Sequence, residues 1–402
     1  MLSLELTDDQ KAIRDLAHEF AVREIRPVAA HYDEAEETPW EVIRKAAEVG
    51  LYGLDILLQA QSDRTGLTHM LINEELYWGC AGIGVCIMGS GLAAAGLYAQ
   101  GTPEQVFEWM PRIYGTESEP TLGAFCVTEP NAGSDVSALR TRATYDGATG
   151  DWILNGTKVF ITNGWIADVH VVVAAVEPEL GLRGQATFVV SKEESNGTLR
   201  QGKKEKKYGI RASHTAEVIF DDCRIPAGQL LGGKERLDAK LEKGRRGEST
   251  GRSSGALQAF ERTRPIVGIQ AVGIARAALE FATDYARTRV QGGRPIIEHQ
   301  AIAHMLAEMA TRVDAARLLC WRAAWMAGQG LQFANAEGSM AKLFAGETAV
   351  WVTDRAIQIL GGYGYIREYP VEKWHRDAKI YTLWEGTSEM QRHVIGKALA
   401  AA

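Results

Sequence analysis

Residues 152–164 read WILNGTKVFITNG and set the character of the middle of the chain. Two runs of β-branched and aromatic residues, 152–154 and 159–162, are each followed by Asn-Gly. Such runs favour strands, and Asn-Gly between two of them is a strong hairpin signal. Similar short runs alternate with turn residues throughout residues 121–226. The pattern predicts an antiparallel β domain in the middle of the chain.

Helical patterns flank this segment on both sides. Before it, Ile13, Leu16 and Phe20 recur at helical spacing,. After it, an apolar stripe follows residues 302–313, and a further helix is predicted over residues 337–360 because Gly-Gly follows it,. The order of helices, sheet and helices, without βαβ alternation, indicates the α+β class. A length of 402 residues suggests two or three domains,.

Composition narrows the class of protein. The net charge of −7 argues against nucleic acid as the main partner, which requires a clustered basic surface,. The first five residues lack the basic and apolar segments of a secretory signal, and we expect no apolar run long enough to cross a bilayer,. We expect a cytoplasmic protein without a metal and with reduced thiols, since no metal-type spacing joins the five cysteines, Cys80, Cys86, Cys126, Cys223 and Cys320,.

Residues 381–392, YTLWEGTSEMQR, place a carboxylate between a large aromatic residue and a glycine. Leu383 and Trp384 are expected to exclude water and raise the pKa of Glu385, as a general base near neutral pH requires. Gly386 lets a backbone N–H group approach a bound ligand closely. The alternative is a surface glutamate at a helix start, with Gly386 and Thr387 as caps and a second glutamate in the first turn. The residues alone leave both interpretations open.

This stretch resembles the catalytic-glutamate motif of the acyl-CoA dehydrogenases, which are FAD enzymes. Five further stretches resemble the same family in the same order along the chain: FCVTEPNAGSD at 125–135, LNGTKVFITNG at 154–164, YGIRASHTAEVIFDDCRIP at 208–226, RVQGGRPIIEHQAI at 289–302 and QILGGYGYIREYP at 358–370. The resemblance implies an N-terminal helical domain (1–120), a β-barrel-like middle domain (121–231) and a C-terminal four-helix bundle (257–402). It also implies a homotetrameric flavoprotein oxidoreductase of lipid metabolism.

The activity implied by the resemblance is the α,β-dehydrogenation of an acyl-CoA thioester to trans-2-enoyl-CoA. Glu385 would take the α-proton, and flavin N5 would take the β-hydride. The backbone N–H of Glu385 and a ribityl hydroxyl of FAD would bind the thioester oxygen. Electrons would pass to an electron-transfer flavoprotein. Two alternatives remain: an acyl-CoA oxidase or nitroalkane-oxidase-like flavoenzyme that O₂ reoxidises, and a non-catalytic flavin-binding protein.

Residues near the base are implied by the same resemblance. Some relatives carry the base on the helix near residue 263, but the matching residue here is Thr263, which cannot act as a carboxylate base. Arg264 matches a family arginine near the base and Glu261 an acidic residue near the substrate, although both could also form a solvent-facing charge pair. The substrate-binding residues implied are Ser134, Glu261, Arg264, Trp384 and Gly386.

The FAD site implied by the resemblance is assembled from several segments. The middle domain would contribute Phe125, Cys126, Val127, Thr128, Gly133, Ser134, Phe160, Ile161 and Thr162. A neighbouring subunit would contribute Arg289, Gln291, Gln300, Gln358, Gly361 and Gly362, while Thr387 and Glu389 touch FAD just past the base. The glycines at 361–364 follow a predicted helix instead of a strand, which argues against a nicotinamide site of the Rossmann type.

The segment 232–256 departs from the family, because it is longer than the loop usually found there. Its stretch 232–255 carries seven Lys or Arg residues against four Asp or Glu residues. This composition favours a mobile, solvated polar loop. The alternative is that Lys240, Lys243, Arg245 or Arg246 contacts the phosphates of CoA.

Overall fold

The structure, a computed structural model, describes residues 5–248 and 255–401, and the side chains of all of these except Gln61 and residues 255–262. Helices come first along the chain, a seven-stranded sheet follows, and helices return after it. The predicted α+β class and the order of its parts are confirmed.

Eight helices precede the sheet. The first begins at a capping box, in which Thr7 Oγ1 accepts the N–H of Gln10 (3.2 Å) and Gln10 Oε1 accepts the N–H of Thr7 (3.0 Å),. The fifth is buried on most of its faces and packs against the long helix at residues 255–288. Their bounds are α1 Asp8–Phe20, α2 Ala29–Ala35, α3 Trp40–Glu48, α4 Leu54–Ser62, α5 Leu67–Gly79, α6 Ala81–Met88, α7 Ser90–Gln100 and α8 Pro103–Tyr114.

The middle of the chain forms the seven-stranded sheet. Its strands are β1 Gly123–Cys126, β2 Arg142–Tyr145, β3 Trp152–Thr162, β4 Val169–Ala175, β5 Gln185–Ser191, β6 Leu199–Lys204 and β7 Thr215–Ile225. They lie in the order β1-β4-β2-β3-β7-β6, with β5 also paired to β4. Most neighbours run antiparallel, but β1 and β2 run parallel to β4. All seven residues of β4 are buried, so this strand is the centre of the core.

Neither Asn-Gly pair forms the predicted hairpin. Asn155 and Gly156 lie inside β3, where the pairing with β7 shifts register. Gly156 has a φ of 148°, and a Cβ atom there would lie 2.7 Å from the Cα of Thr141. The glycine is therefore required by the close approach of a neighbouring segment. Asn163 and Gly164 do end β3, but the next strand, β4, pairs with β1, β2 and β5.

A bundle of helices follows the sheet. Its four main helices, α10, α11, α12 and α14, make the predicted four-helix bundle, and α12 ends at Gly361 (φ 61°) as predicted. The bounds are α9 Gly233–Arg245, α10 Gly255–Thr288, α11 Gln300–Gly328, α12 Glu337–Leu360, α13 Val371–Ala378 and α14 Ser388–Ala401, with a short ribbon of β8 Val290–Gln291 and β9 Arg294–Pro295 before α11.

The prediction of a polar loop at 232–256 is wrong for about half of this segment, because residues 233–245 form helix α9. Leu237 and Leu241, one helical turn apart, are buried, and Lys240 Nζ donates a hydrogen bond to a backbone carbonyl of β5 (2.5 Å). The two leucines anchor a helix whose charged residues face outward. Residues 249–254 of the predicted loop lie outside the described residues.

Two stretches correct the expectation that no apolar run could cross a bilayer. Ala81–Gln100 and Thr263–Thr288 are long and apolar enough to do so. However, 67% of each is buried inside the protein, as is typical of core helices. Both stretches pack in the core of the fold, so their apolar character is explained without a membrane.

Candidate active site

Glu385 lies on a turn that packs against two helices of the bundle. Thr263, on α10, donates a hydrogen bond from Oγ1 to Glu385 Oε2 (2.9 Å). Lys342, on α12, donates from Nζ to the backbone oxygen of Gly386 (2.6 Å). The turn is followed at once by α14. The carboxylate is therefore held where three elements meet, and its side chain is half-buried.

The surroundings of Glu385 suit a general base. Burial raises the pKa of Glu385, while the hydroxyl of Thr263 and the positive charges of Lys342 and Arg264 oppose this rise. Burial also lowers the pKa of Lys342 to about 8, against the pull of the Glu385 carboxylate. A carboxylate whose pKa is moved toward neutrality can both accept and release a proton under physiological conditions.

Aromatic side chains form a wall behind the base. The rings of Tyr381 and Trp384 meet edge to face, with centroids 5.2 Å apart. Tyr77, on α5, and Tyr381 are buried, and burial raises the pKa of both phenols well above the usual range. These groups stay neutral, so the wall adds no charge beside Glu385. Trp384 therefore packs on Tyr381, whereas Leu383, which was also expected to exclude water from Glu385, is 50% exposed.

The backbone at the base is in the left-handed region. Glu385 has a φ of 49° and Gly386 a φ of 90°. This conformation costs a residue with a Cβ atom about 1–3 kcal/mol. A Cβ atom at position 386 would lie 2.5 Å from Gln391 Nε2. Gly386 is therefore needed both for its conformation and for space.

The structure describes the side chains of three other residues predicted near the base: Arg264, Thr387 and Glu389. Arg264 is only 7% exposed and donates from Nη1 to Ser339 Oγ (2.9 Å), so the solvent-facing alternative is wrong for it. The side chain of Glu261 lies outside the described residues. Thr387 does act as a helix cap, because its Oγ1 accepts the N–H of Met390 (3.3 Å). Glu389 is exposed in the first turn of α14.

Two of the segments predicted to hold the flavin meet in the sheet. The N–H of Val159 donates to the backbone oxygen of Thr128 (2.9 Å). Lys158 is fully buried and donates from Nζ to the backbone oxygen of Val127 (2.9 Å) and to Glu129 Oε1 (2.7 Å). The buried ion pair therefore ties the end of β1 to β3.

The predicted flavin residues of the middle domain differ in exposure: some are exposed or partly exposed, and others are buried. Phe160 is 65% exposed, so its large ring lies on the surface. Its φ of 58° is in the left-handed region, which is unusual for an aromatic residue,. Gly133 and Ser134 are exposed, whereas Phe125, Thr128 and Thr162 are partly exposed. Three others, Cys126, Val127 and Ile161, are buried in the core and could reach a ligand only through their backbone.

A cavity of about 540 Å³ lies at the other end of the bundle. Four of the predicted FAD residues, Arg289, Gln291, Gly361 and Gly362, line it. Gln300 and Gln358 are exposed and are not among its lining residues, nor are Glu385 and Phe160. The volume is within the range of small-molecule and cofactor sites, and its arginine can contact a phosphate.

Residues both in the cavity and beside Glu385 were missed in the sequence analysis. In the cavity these are Tyr285, His299 and Tyr363: His299 Nε2 lies 2.9 Å from the backbone oxygen of Gln291, and the Arg289 guanidinium lies 5.4 Å from the Tyr363 ring centre. Behind the base they are Lys342 and Gln391. Lys342 could have been noticed in the sequence, because it is a lysine within the Ala-rich stripe of α12.

The buried ion pair gives a stability prediction. Lys158→Met should lower the free energy of unfolding by about 3–5 kcal/mol, because it leaves the carboxylate of Glu129 buried without its cation. Burial alone would raise the pKa of Glu129, but the charge of Lys158 and hydrogen bonds lower it. Urea unfolding with saturating FAD measures the loss. Lys158→Met combined with Glu129→Gln should recover most of it, and a single-variant loss below about 1 kcal/mol would contradict a strong pair.

Three family models match the chain. The acyl-CoA dehydrogenase N-terminal domain matches residues 7–117, the middle domain residues 124–223 and the C-terminal domain residues 254–400. Together they span nearly the whole chain, and they follow the order in which the helices, the sheet and the bundle occur.

Individual relatives agree over the same length. The chain is 39% identical over 398 residues to the acryloyl-CoA reductase (NADH) of Anaerotignum propionicum, covering 98% of this chain and 95% of the relative. Its fold is similar to that of butyryl-CoA dehydrogenase from Megasphaera elsdenii (TM-score 0.87, 35% identity, 99% and 100% covered). It is also similar to a glutaryl-CoA dehydrogenase from Mycobacterium smegmatis in complex with FADH2 (TM-score 0.84, 28% identity, 99% and 96% covered).

Proposed function

Because the chain belongs to the acyl-CoA dehydrogenase family of FAD enzymes, we propose that it converts an acyl-CoA thioester to trans-2-enoyl-CoA. The observation that carries the proposal is Glu385, held by the Thr263 hydroxyl (2.9 Å) in a partly buried position that raises its pKa. FAD, when bound, supplies the acceptor for the β-hydrogen and its electron pair. The chain itself binds, orients and moves the proton.

The proton transfer is assigned to one oxygen of Glu385. Oε2 accepts the hydrogen bond of Thr263, so Oε1 takes the α-proton. The backbone N–H of Glu385 is the proposed donor to the thioester oxygen, where negative charge develops as the α-proton leaves. The left-handed turn at 385–386 sets the direction of that N–H. Trp384 borders the acyl group, and Arg264 supports the base through its charge.

The residues proposed to hold FAD fit a dinucleotide with a flat ring at one end. Phe160 offers an exposed aromatic face, and Thr128 and Thr162 offer hydroxyls nearby on the same sheet. Arg289 in the cavity offers a cation for the pyrophosphate,. The absence of Glu385 and Phe160 from the cavity lining supports a site completed by a second subunit.

The same residues can run the reaction in reverse, and the similarity to an acryloyl-CoA reductase makes reduction of a 2-enoyl-CoA the second candidate. In that direction the protonated Glu385 would deliver a proton to Cα. The sign of the pH dependence separates the two directions. Dehydrogenation needs the carboxylate and should slow as pH falls through the raised pKa of Glu385, whereas reduction needs the acid and should slow as pH rises through it,.

The oligomeric state, the cellular compartment and the electron acceptor are also part of the proposal. We propose a homotetramer in the cytoplasm that acts in lipid metabolism and passes electrons to an electron-transfer flavoprotein. Exposed rings beside the cavity support assembly, since Tyr365 is 86% and Tyr363 42% exposed. Clusters of exposed aromatic residues are typical of protein interfaces.

Anaerobic mixing with acyl-CoAs of increasing chain length tests the function. The bound flavin should lose its yellow colour with at least one acyl-CoA, and mass spectrometry should find the matching 2-enoyl-CoA. Persistence of the colour with every acyl-CoA would contradict the proposal and leave the reductase candidate and a non-catalytic flavin protein. Rapid recovery of colour in air, without an added acceptor, would instead support the oxidase alternative.

A further inference from the structure

Two buried polar side chains lie directly behind the base and take no part in the proton transfer described above. Lys342, on α12, is 1% exposed, and Gln391, on α14, is fully buried. Neither belongs to a surface network, so the interactions that compensate for burying them must be local. Both direct their nitrogen atoms at the same turn.

That turn is the left-handed one that carries Glu385. Gln391 Nε2 donates to the backbone oxygens of Glu385 (3.2 Å) and Gly386 (2.9 Å). Lys342 Nζ donates to the Gly386 oxygen as well (2.6 Å). Two consecutive peptide groups are thus fixed from behind. Both peptide groups follow Glu385, so fixing them holds the left-handed turn from which the Glu385 side chain projects.

The arrangement explains how the unusual backbone persists. A left-handed residue with a Cβ atom relaxes to a right-handed conformation unless its neighbours prevent it. Here the neighbours come from two different helices, which pack against each other in the bundle. A hydrogen bond from a charged donor is also stronger than one from a neutral donor.

We propose that Lys342 and Gln391 are positioning residues for the base, and that the charge of Lys342 also keeps the Glu385 carboxylate ionised. The proposal rests on the proposed role of Glu385. Gln391 acts through geometry alone. Lys342 acts through geometry and charge, which gives the two residues different experimental signatures.

The charges around Lys342 support this division. Arg264 faces it from α10, Glu385 and Glu389 from the turn and α14, and Glu347 from its own helix. Tyr77 and Tyr381 face the carboxylate but remain neutral. Lys342 and Arg264 are therefore the cations that oppose the rise in the pKa of Glu385. Removing the lysine should raise that pKa further.

Two methionine variants test the proposal, since methionine keeps the unbranched shape of both side chains. Flavin reduction by a reactive acyl-CoA is followed by stopped flow between about pH 5 and pH 10, a range that spans both carboxylate and lysine titration. Lys342→Met should slow reduction about tenfold or more and move the acid limb of the profile upward by about 1–3 pH units. Gln391→Met should slow reduction at every pH and leave that limb in place.

Matched controls separate position from charge. Lys342→Arg keeps the cation and should keep the acid limb. Lys204→Met removes another lysine that donates to a backbone carbonyl, that of Glu36 (2.6 Å), and should match the parent protein because it lies outside the residues assigned to the site. Binding of a non-reactive acyl-CoA analogue should change less than the rate of reduction, because the Glu385 N–H is only one of the proposed contacts to the substrate.

Several outcomes would overturn the proposal. A parental rate and pH profile for Lys342→Met would remove its role, and a parental rate for Gln391→Met would remove the geometric claim. If Lys342→Met does not fold with FAD, Lys342→Gln removes the charge but keeps an amide donor, and an unmoved acid limb there contradicts the charge claim. Glu385→Gln distinguishes failure of the positioning proposal from failure of the proposed function. If an acyl-CoA reduces the flavin of this variant at the parental rate, the proposed role of Glu385 itself fails.

Discussion

Glu385→Gln should slow the reduction of the bound flavin by an acyl-CoA about 10²–10⁴-fold, the range that a positioned general base contributes. The amide keeps the shape of the side chain and the backbone N–H, and it can still accept the hydrogen bond from Thr263. It cannot take a proton at any accessible pH. The loss should therefore fall on the chemical step, and binding of a substrate analogue should survive. Stopped-flow reduction and analogue titration measure the two quantities separately.

The control for this variant is Glu104→Gln, which alters an exposed glutamate in the first turn of α8. It should leave both reduction and binding unchanged. If Glu385→Gln reduces the flavin at the parental rate, the base is elsewhere, and Glu261 becomes the next candidate. If analogue binding also collapses, the substitution has disturbed the turn, and the rate alone would not identify a base.

Arg289→Ala should weaken FAD retention and the oligomer together. Arg289 lines the cavity of about 540 Å³ with Gln291, Gly361 and Gly362, where a guanidinium can bind a pyrophosphate through two hydrogen bonds,. Losing one partner of a buried, hydrogen-bonded charge pair costs about 2–5 kcal/mol, or roughly 30- to 5,000-fold in the dissociation constant of FAD. Flavin released on gel filtration, and the elution volume of the protein, give both readouts in one experiment.

Arg287→Ala is the matched control, because Arg287 is exposed at the end of α10 and pairs with Asp284 instead of lining the cavity. It should retain FAD and the parental elution volume. Loss of FAD from an unchanged oligomer after Arg289→Ala would contradict a site shared between subunits. No change in either property would remove Arg289 from the site altogether.

Local signals in the sequence predicted the features that local interactions control. The spacing of Ile13, Leu16 and Phe20, which lie on α1, and the end of α12 at Gly361 both depend on residues within a few helical turns,. The hairpins failed for the opposite reason. Gly156 looks like a turn residue, but it is required because Thr141 approaches from a neighbouring segment. That contact does not exist in the local sequence.

The site shows the same division. The exceptional position of Glu385, between Trp384 and Gly386, was recognisable because its neighbours in sequence are also its neighbours in space. Lys342 reaches the turn only because α12 packs against α14, and Gln391, five residues beyond Gly386, reaches it only because α14 directs this side chain back toward the turn. Helix α9 was missed because its charged residues outnumber the two buried leucines, although the four-residue spacing of Leu237 and Leu241 was visible,.

Exchange of the α-hydrogen tests the central claim, that Glu385 removes this proton, without relying on flavin reduction. An acyl-CoA analogue that cannot lose its β-hydrogen is incubated with the FAD-loaded protein in D2O, and deuterium at Cα is followed by mass spectrometry. The parent protein should exchange the α-hydrogen, while Glu385→Gln should bind the analogue and exchange it about 10²–10⁴-fold more slowly. Exchange at the parental rate by Glu385→Gln would contradict the account.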